Sequence, residues 1–154
     1  MAATAAGAIK AYVEGLGLGL SVYRDGAPKD AEGNIAAAYP HAVVQDGIAT
    51  TPQAHGDYDD PTGHQATTEL VQVDLYQLAR RLDPATQGRT VVAERYDLPD
   101  ALAAALTGTG IQQHAPWRVY GTRVQSGQRW PVEDNVVRHT WTVAIERDTR
   151  RLTP

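Results

Sequence analysis

Apolar residues recur at helical spacing near the start of the chain. Ala5, Ile9, Tyr12, Val13 and Leu16 share one stripe, which predicts a helix over 2–16. Gly15, Gly17 and Gly19 in "GLGLGL" make a continuing helix costly and mark its end. The run lacks the GxGxxG spacing of a phosphate-cradling loop and follows no strand, so it reads as a helix terminus leading into an extended segment. "LSVYRDGAPKDAEGN" predicts a short strand and then polar turns. In "AYPHAVVQDG", Ala42, Val43 and Val44 predict a strand that Asp46-Gly47 ends, with Pro40 suited to its first position or to an edge. A long loop is expected around 50–66.

The clearest alternation follows. In "ELVQVDLYQL", Val71, Val73 and Leu75 alternate with Gln72, Asp74 and Tyr76, giving a strand with one apolar face. "ARRLDPATQGR" reads as a polar connection, followed by a helical stretch from about 88 to 106. Pro99 interrupts that stretch, and Asp97 can cap a new turn, with Pro99 near the first helical positions. Leu98, Leu102 and Leu106 repeat every fourth residue and predict a buried stripe, which "TGTG" ends. The last third predicts a hairpin: "WRVYGTRVQ", a long connection "SGQRWPVED", and "NVVRHTWTVAIER". In the closing strand Val137, His139, Trp141, Val143 and Ile145 face one way, and Arg138, Thr140, Thr142 and Glu146 the other. A polar tail is expected over 148–154. This order predicts an α+β fold: a mainly antiparallel sheet with helices packed on one face.

Composition narrows the classes of function. A chain of 154 residues suits one domain, and a hydrophobic fraction of 42% with three Trp argues for a folded core. Phe is absent, so Leu, Val, Tyr and Trp must fill that core. The formal net charge of −4 lacks the basic excess of a duplex-gripping module. Cysteine is absent, which excludes disulfides, thiolate nucleophiles and Cys-type zinc sites. The Ala-rich start has no basic region followed by an apolar run, and no apolar run approaches the ~20 residues of a membrane span. A protein that is soluble and intracellular when made is expected. Arg outnumbers Lys twelve to two, the bias of a GC-rich genome.

The stretch that most resembles chemistry is "AHGDYDDPTGHQ". His55, Asp57, Asp59 and His64 are possible ligands for a divalent cation, in a small metal-dependent enzyme. Against this, Pro61 and Thr62 interrupt any regular oxygen spacing, no Glu follows until Glu69, and the two His are not i, i+4 on a helix. Asp, Gly and Pro are equally the residues of a solvated turn-rich loop, and no metal or cofactor is expected. Ser occurs only at Ser21 and Ser126, neither within G-x-S-x-G, so no hydrolytic triad is indicated. Asp74 reads as a surface group or an ion-pair partner, and Glu133-Asp134 as loop residues. His139 reads as a hydrogen-bonded core residue, Trp141 as core, Arg138 as solvated or a subunit contact, and Arg80-Arg81 as solvated or touching a neighbour or DNA.

The element order, with "YPHAVVQDG", "VQVDLY" and a hairpin ending in "RHTWTVAIER", resembles the tail terminator (tail-to-head joining, or tail completion) proteins of long-tailed bacteriophages. The likeness spans roughly 9–147 and rests on strand flavour and order, not on a catalytic signature. It implies a virion structural protein without enzymatic activity or cofactor. Such proteins form a homo-hexameric ring on the tail tube, stop its growth and present a surface to the head-side connector or stopper protein. Genomic DNA passes through the lumen without sequence-specific binding. The expected location is the tail or neck of a virion made in the host cytoplasm, with no membrane partner. A head-completion or stopper protein is the neighbouring alternative in the same class. The resemblance gives the 50–66 loop no fixed composition and makes it a segment that reaches a neighbour. Tyr58, Asp59, Asp60, Tyr76, Arg80, Arg81, Arg129, Trp130 and Arg138 are the expected ring or neighbour contacts.

Overall fold

The computed structural model of the chain describes residues 4–53, 66–82, 84–87 and 91–152. The first helix, α1 (Ala5–Glu14), begins where the Thr4 hydroxyl accepts the Gly7 N–H at 3.1 Å, satisfying one of the free amides of the first turn. Ala5, Ala6, Ala8, Ile9 and Val13 are buried. Three of these are alanines, which let the helix axis lie close to the layer beneath it. The glycine run turns the chain into β1 (Ser21–Arg24), and β2 (His41–Gln53) follows after polar turns.

The main sheet has five strands in the order β1-β2-β3-β7-β6, where β3 is Ala66–Leu78, β6 is Trp117–Arg129 and β7 is Val136–Arg151. Only β1 with β2 is parallel; the other three pairings are antiparallel. The fold is therefore α+β with a mostly antiparallel sheet. Register decides which side chains share a face. Ala42 and Val44 lie opposite Leu75 and Val73, and Val71, Val73 and Leu75 lie opposite Val143, Trp141 and His139. Both helices cover this face. Ile9 and Val13 of α1, with Leu98 and Leu102 of α2 (Asp97–Ala105) and Leu106 just beyond it, join Val44, Val71, Val73 and Val143 in one hydrophobic cluster. Each fully buried Leu or Val contributes roughly 1.5–3 kcal/mol relative to exposure. At one end of this face Glu69 pairs with Arg147 at 3.0 Å, and the Arg147 guanidinium lies 3.9 Å over the Trp117 ring.

Two close approaches lock the layers. A Cβ at Gly110 would stand 2.5 Å from the tip of the Tyr12 ring of α1, so a larger residue at the start of the short 3-10 turn Gly110–His114 would have to displace that ring. Thr122 Oγ1 donates toward the Leu106 carbonyl at 2.7 Å, taking up one of the acceptors that the end of α2 leaves free.

Several sequence expectations are revised. Asp46-Gly47 does not end a strand: β2 continues to Gln53, with a register irregularity between Gln45 and Ala49. The turn formers serve that irregularity, where the Asp46 carboxylate accepts from Arg24 Nε at 2.8 Å. The long loop is thus shorter than 50–66 at its start, and its remainder, 54–65, lies outside the described residues. The helix expected from about 88 begins only at Asp97; before it lies β5 (Val91–Ala93), paired antiparallel with β4 (Arg80–Leu82). The β-branched Val91 and Val92 favour extension, which the helical reading of this stretch overlooked. Asp97 does not cap α2 but accepts from Arg95 Nη2 at 3.2 Å. Ser126 to Arg129 belong to β6 rather than to a connection, because Ser126 pairs with Thr142 and Arg129 with His139. The supposed tail is largely strand, with Asp148 buried and Arg151 opposite Trp117.

Candidate functional site

The sheet face away from the helices carries a polar and aromatic network. It follows from register: Asp74 lies opposite Thr140, Tyr76 opposite Arg138, and His41 opposite Tyr76. Alternation puts all of them on the same side. Asp74 is 0% exposed and paired with Arg138, so of its two expected roles it is the ion-pair partner and not the surface group. Arg138 approaches Oδ1 through Nε and Nη2, each at 3.2 Å, Thr140 Oγ1 donates to the same oxygen, and Gln72 Nε2 reaches Oδ2 at 3.0 Å. Burying a carboxylate without such partners would be prohibitive.

The network extends to an aromatic wall. Thr140 Oγ1 also accepts the Trp130 indole N–H at 2.9 Å, using the hydroxyl as donor and acceptor at once. The Arg138 guanidinium lies 5.2 Å from the Trp130 centroid and 5.7 Å from that of Tyr76. Arg138 is therefore neither freely solvated nor unengaged: a carboxylate and two rings orient it. Behind it, His41 is fully buried, stacked on Tyr76 at 5.1 Å and flanked by Tyr39 and Tyr23. His41 Nδ1 is 3.2 Å from the Ala38 carbonyl, which requires the N–H on that nitrogen. Nε2 then carries a lone pair without a partner among the described residues. Burial pushes the His41 pKa below the usual histidine value, against the opposing pull of the Ala38 carbonyl. Burial, with Asp74 nearby, pushes the Tyr76 phenol up. Both rings are therefore neutral near pH 7.

Over this network opens a cleft of about 610 Å³. Tyr39, Tyr76 and Arg138 line it together with the β6–β7 turn, including Trp130, Val132 and Glu133. Ile35, Trp130 and Val132, all at this cleft, are 46%, 38% and 48% exposed. Three large apolar side chains are thus held open to water around one concave place.

Of the expected contacts, Tyr76, Trp130 and Arg138 meet here. Arg129 does not: its Nη2 donates to Glu94 at 2.8 Å, outside the cleft. Arg80 is exposed on β4, where its backbone is tied to the Asn135 side chain. Arg81 contributes its backbone to β4, and its side chain lies outside the described residues. His55, Asp57, Tyr58, Asp59, Asp60 and His64 also lie outside them. Among the described residues no three His, Asp or Glu stand together as a metal site, and no helix is long and apolar enough to cross a membrane. His139 sits on the helix-covered face as its alternation predicts, stacked on Trp141 at 5.8 Å. It is only half-buried, and its Nδ1 has no partner among the described residues, unlike the hydrogen-bonded core residue expected. Burial first, and then the nearby Arg129, lowers its pKa.

Sequence reading missed His41 and Val132 as site residues, and the burial of Asp74. The available signal was two polar triplets, Gln72-x-Asp74-x-Tyr76 and Arg138-x-Thr140-x-Thr142, each a candidate cross-strand partner for the other.

No protein-family model and no curated protein matches the chain. Among solved structures, a chain from the virion of a native gene transfer agent particle is similar at a TM-score of 0.47 and 14% identity, over 91% of this chain and 84% of that one. A likeness that distant assigns no function.

Proposed function

We propose that this protein is a virion structural protein, a ring-forming tail terminator of a long-tailed phage or phage-like particle. In this reading six copies cap the tail tube, end its elongation and present a surface to the head-side connector or stopper. Genomic DNA crosses the lumen without sequence-specific binding, and the protein performs no reaction. The observation that supports the reading best is the element order carried into one layer. An N-terminal helix, a Pro-led strand, an alternating strand, a Leu-striped helix and a closing hairpin build one sheet with both helices on one face. The far face is left with a cleft bearing exposed apolar side chains, as a subunit that must bind neighbours requires. The acidic balance, −4, suits a passage along which DNA slides without being gripped.

The test is assembly. Mass photometry and negative-stain imaging of the purified protein, alone and with its cognate tube protein, should give a six-membered ring or caps on tube ends. A protein that stays monomeric and ignores tube ends under both conditions removes this reading.

A further inference from the structure

The cleft carries more information than its exposure. Among the described residues its one cation is Arg138, already matched by the buried Asp74 at 3.2 Å. Glu133 and Asp134 remain at the cleft, both exposed. The surface on offer is thus aromatic and aliphatic with acidic residues at its border, and its complement is an aromatic or aliphatic group carrying positive charge. The chain itself bears such a group. Tyr120 on β6 is 46% exposed, and the guanidinium of the exposed Arg118 lies 5.4 Å from its ring centroid. Tyr and Arg are the residue types that most often dominate interface energetics.

Placement excludes contact within one molecule. Trp117, beside Arg118, pairs with Arg151 at one end of the β6–β7 ladder, whereas Arg129 pairs with His139 at the other end, beside the cleft. The strand between Tyr120 and Trp130 spans about 30 Å at ~3.3 Å per residue. A projection and its complementary recess at opposite ends of one subunit are the elements of a head-to-tail contact, which closes into a ring when the rotation between subunits allows it.

We infer that the cleft beside Trp130 and Val132 receives the Arg118–Tyr120 pair of a second copy of this chain. The contact joins subunits head to tail, with Arg118 facing Glu133 and Asp134 across the interface. It rests on the ring reading above and names the surfaces that build the ring.

Charge reversal tests it. Arg118 and Glu133 are both exposed, so Arg118→Glu and Glu133→Arg should keep the native circular dichroism spectrum. Asp134 is left alone because its φ of 50° tolerates few residues. Each single reversal should raise the concentration for half-assembly roughly tenfold or more. An equimolar mixture of the two variants should restore rings, because every contact in an alternating six-membered ring then pairs opposite charges. Rings unaffected by either reversal, or disrupted rings that mixing fails to restore, overturn the contact and leave the ring reading standing. If the reversals spare the ring but abolish binding to a basic neighbour, the cleft belongs to that neighbour and the inference fails. An unsubstituted protein that never assembles, even with tube protein, overturns the ring reading and this contact together.

Discussion

The two faces of the sheet are organised on different principles. The helix-covered face is held by area: Val71, Val73, Leu75, Leu98 and Leu102 are all 0% exposed and make no directional bond through their side chains. The far face is held by geometry: one buried carboxylate collects donors from Arg138, Thr140 and Gln72, and Thr140 passes the connection on to Trp130. Hydrophobic burial is non-directional and tolerates exchange of shape. A buried polar network tolerates almost none, because a lost partner leaves a charged or polar group stranded. The first face makes the domain stable; the second holds the cleft wall in one arrangement.

The largest expected loss comes from opening the helix-covered face. Leu102→Ala should destabilise by about 3 kcal/mol, through lost transfer energy and a residual cavity, read as a lower urea midpoint at unchanged slope. The far face should respond strongly to a far smaller chemical change. Asp74→Asn keeps the shape but leaves the Arg138 charge without its counter-ion, and should cost about 2 kcal/mol. Its counterpart, Leu75→Met, conserves volume on the apolar face and should cost less than ~1.5 kcal/mol. If the two conservative changes prove equal, the contrast between area and geometry fails. Trp130→Phe retains a ring but removes the indole donor to Thr140. It should cost about 1 kcal/mol and show as a small drop in melting temperature.

The finest test is a pH slope. Burial depresses the pKa values of both His41 and His139 below the ordinary histidine value of about 6.5. Below that value the unfolded chain takes up protons that the folded chain does not, so stability falls as pH drops from about 6.5 toward the folded-state values. Above that value both rings are neutral in both states and the slope vanishes. His41→Gln should reduce the acid-side slope in thermal melts without abolishing it, because His139 still contributes. The charges facing His139, Arg129 with Glu94 and Asp100, set how much it retains. An unchanged slope assigns the acid sensitivity elsewhere.

Legibility in the sequence followed the same division. Val71, Val73 and Leu75, the Leu98-Leu102-Leu106 stripe and the alternation from Val137 to Ile145 were readable, because each pattern is local and the structure uses it as written. Tyr76, Trp130 and Arg138 could be marked as contacts, but nothing in sequence showed that they meet. Their meeting depends on Tyr76 lying opposite Arg138 and on the β6–β7 turn folding Trp130 back over Thr140. Asp74 reads as a surface group or an ion-pair partner because its neighbours Gln72 and Tyr76 are polar, and the sequence does not choose between the two. Its burial is decided by segments remote in sequence. The turn formers Asp46-Gly47 misled for a related reason: an Asp-Gly pair can serve a strand irregularity as well as a turn, and the choice lies in the partner strand.

The sequence by itself determined the α+β class, the existence of most of the long elements and the apolar face of the core, because 2-residue and 3.6-residue periods are local properties of the chain. Only the tertiary structure decided the β4–β5 pair, the extension of β2, β6 and β7, and the site itself. Register is a relation between strands, and a shift of one residue would have sent Asp74 and Arg138 to the helix side and dissolved the cleft wall.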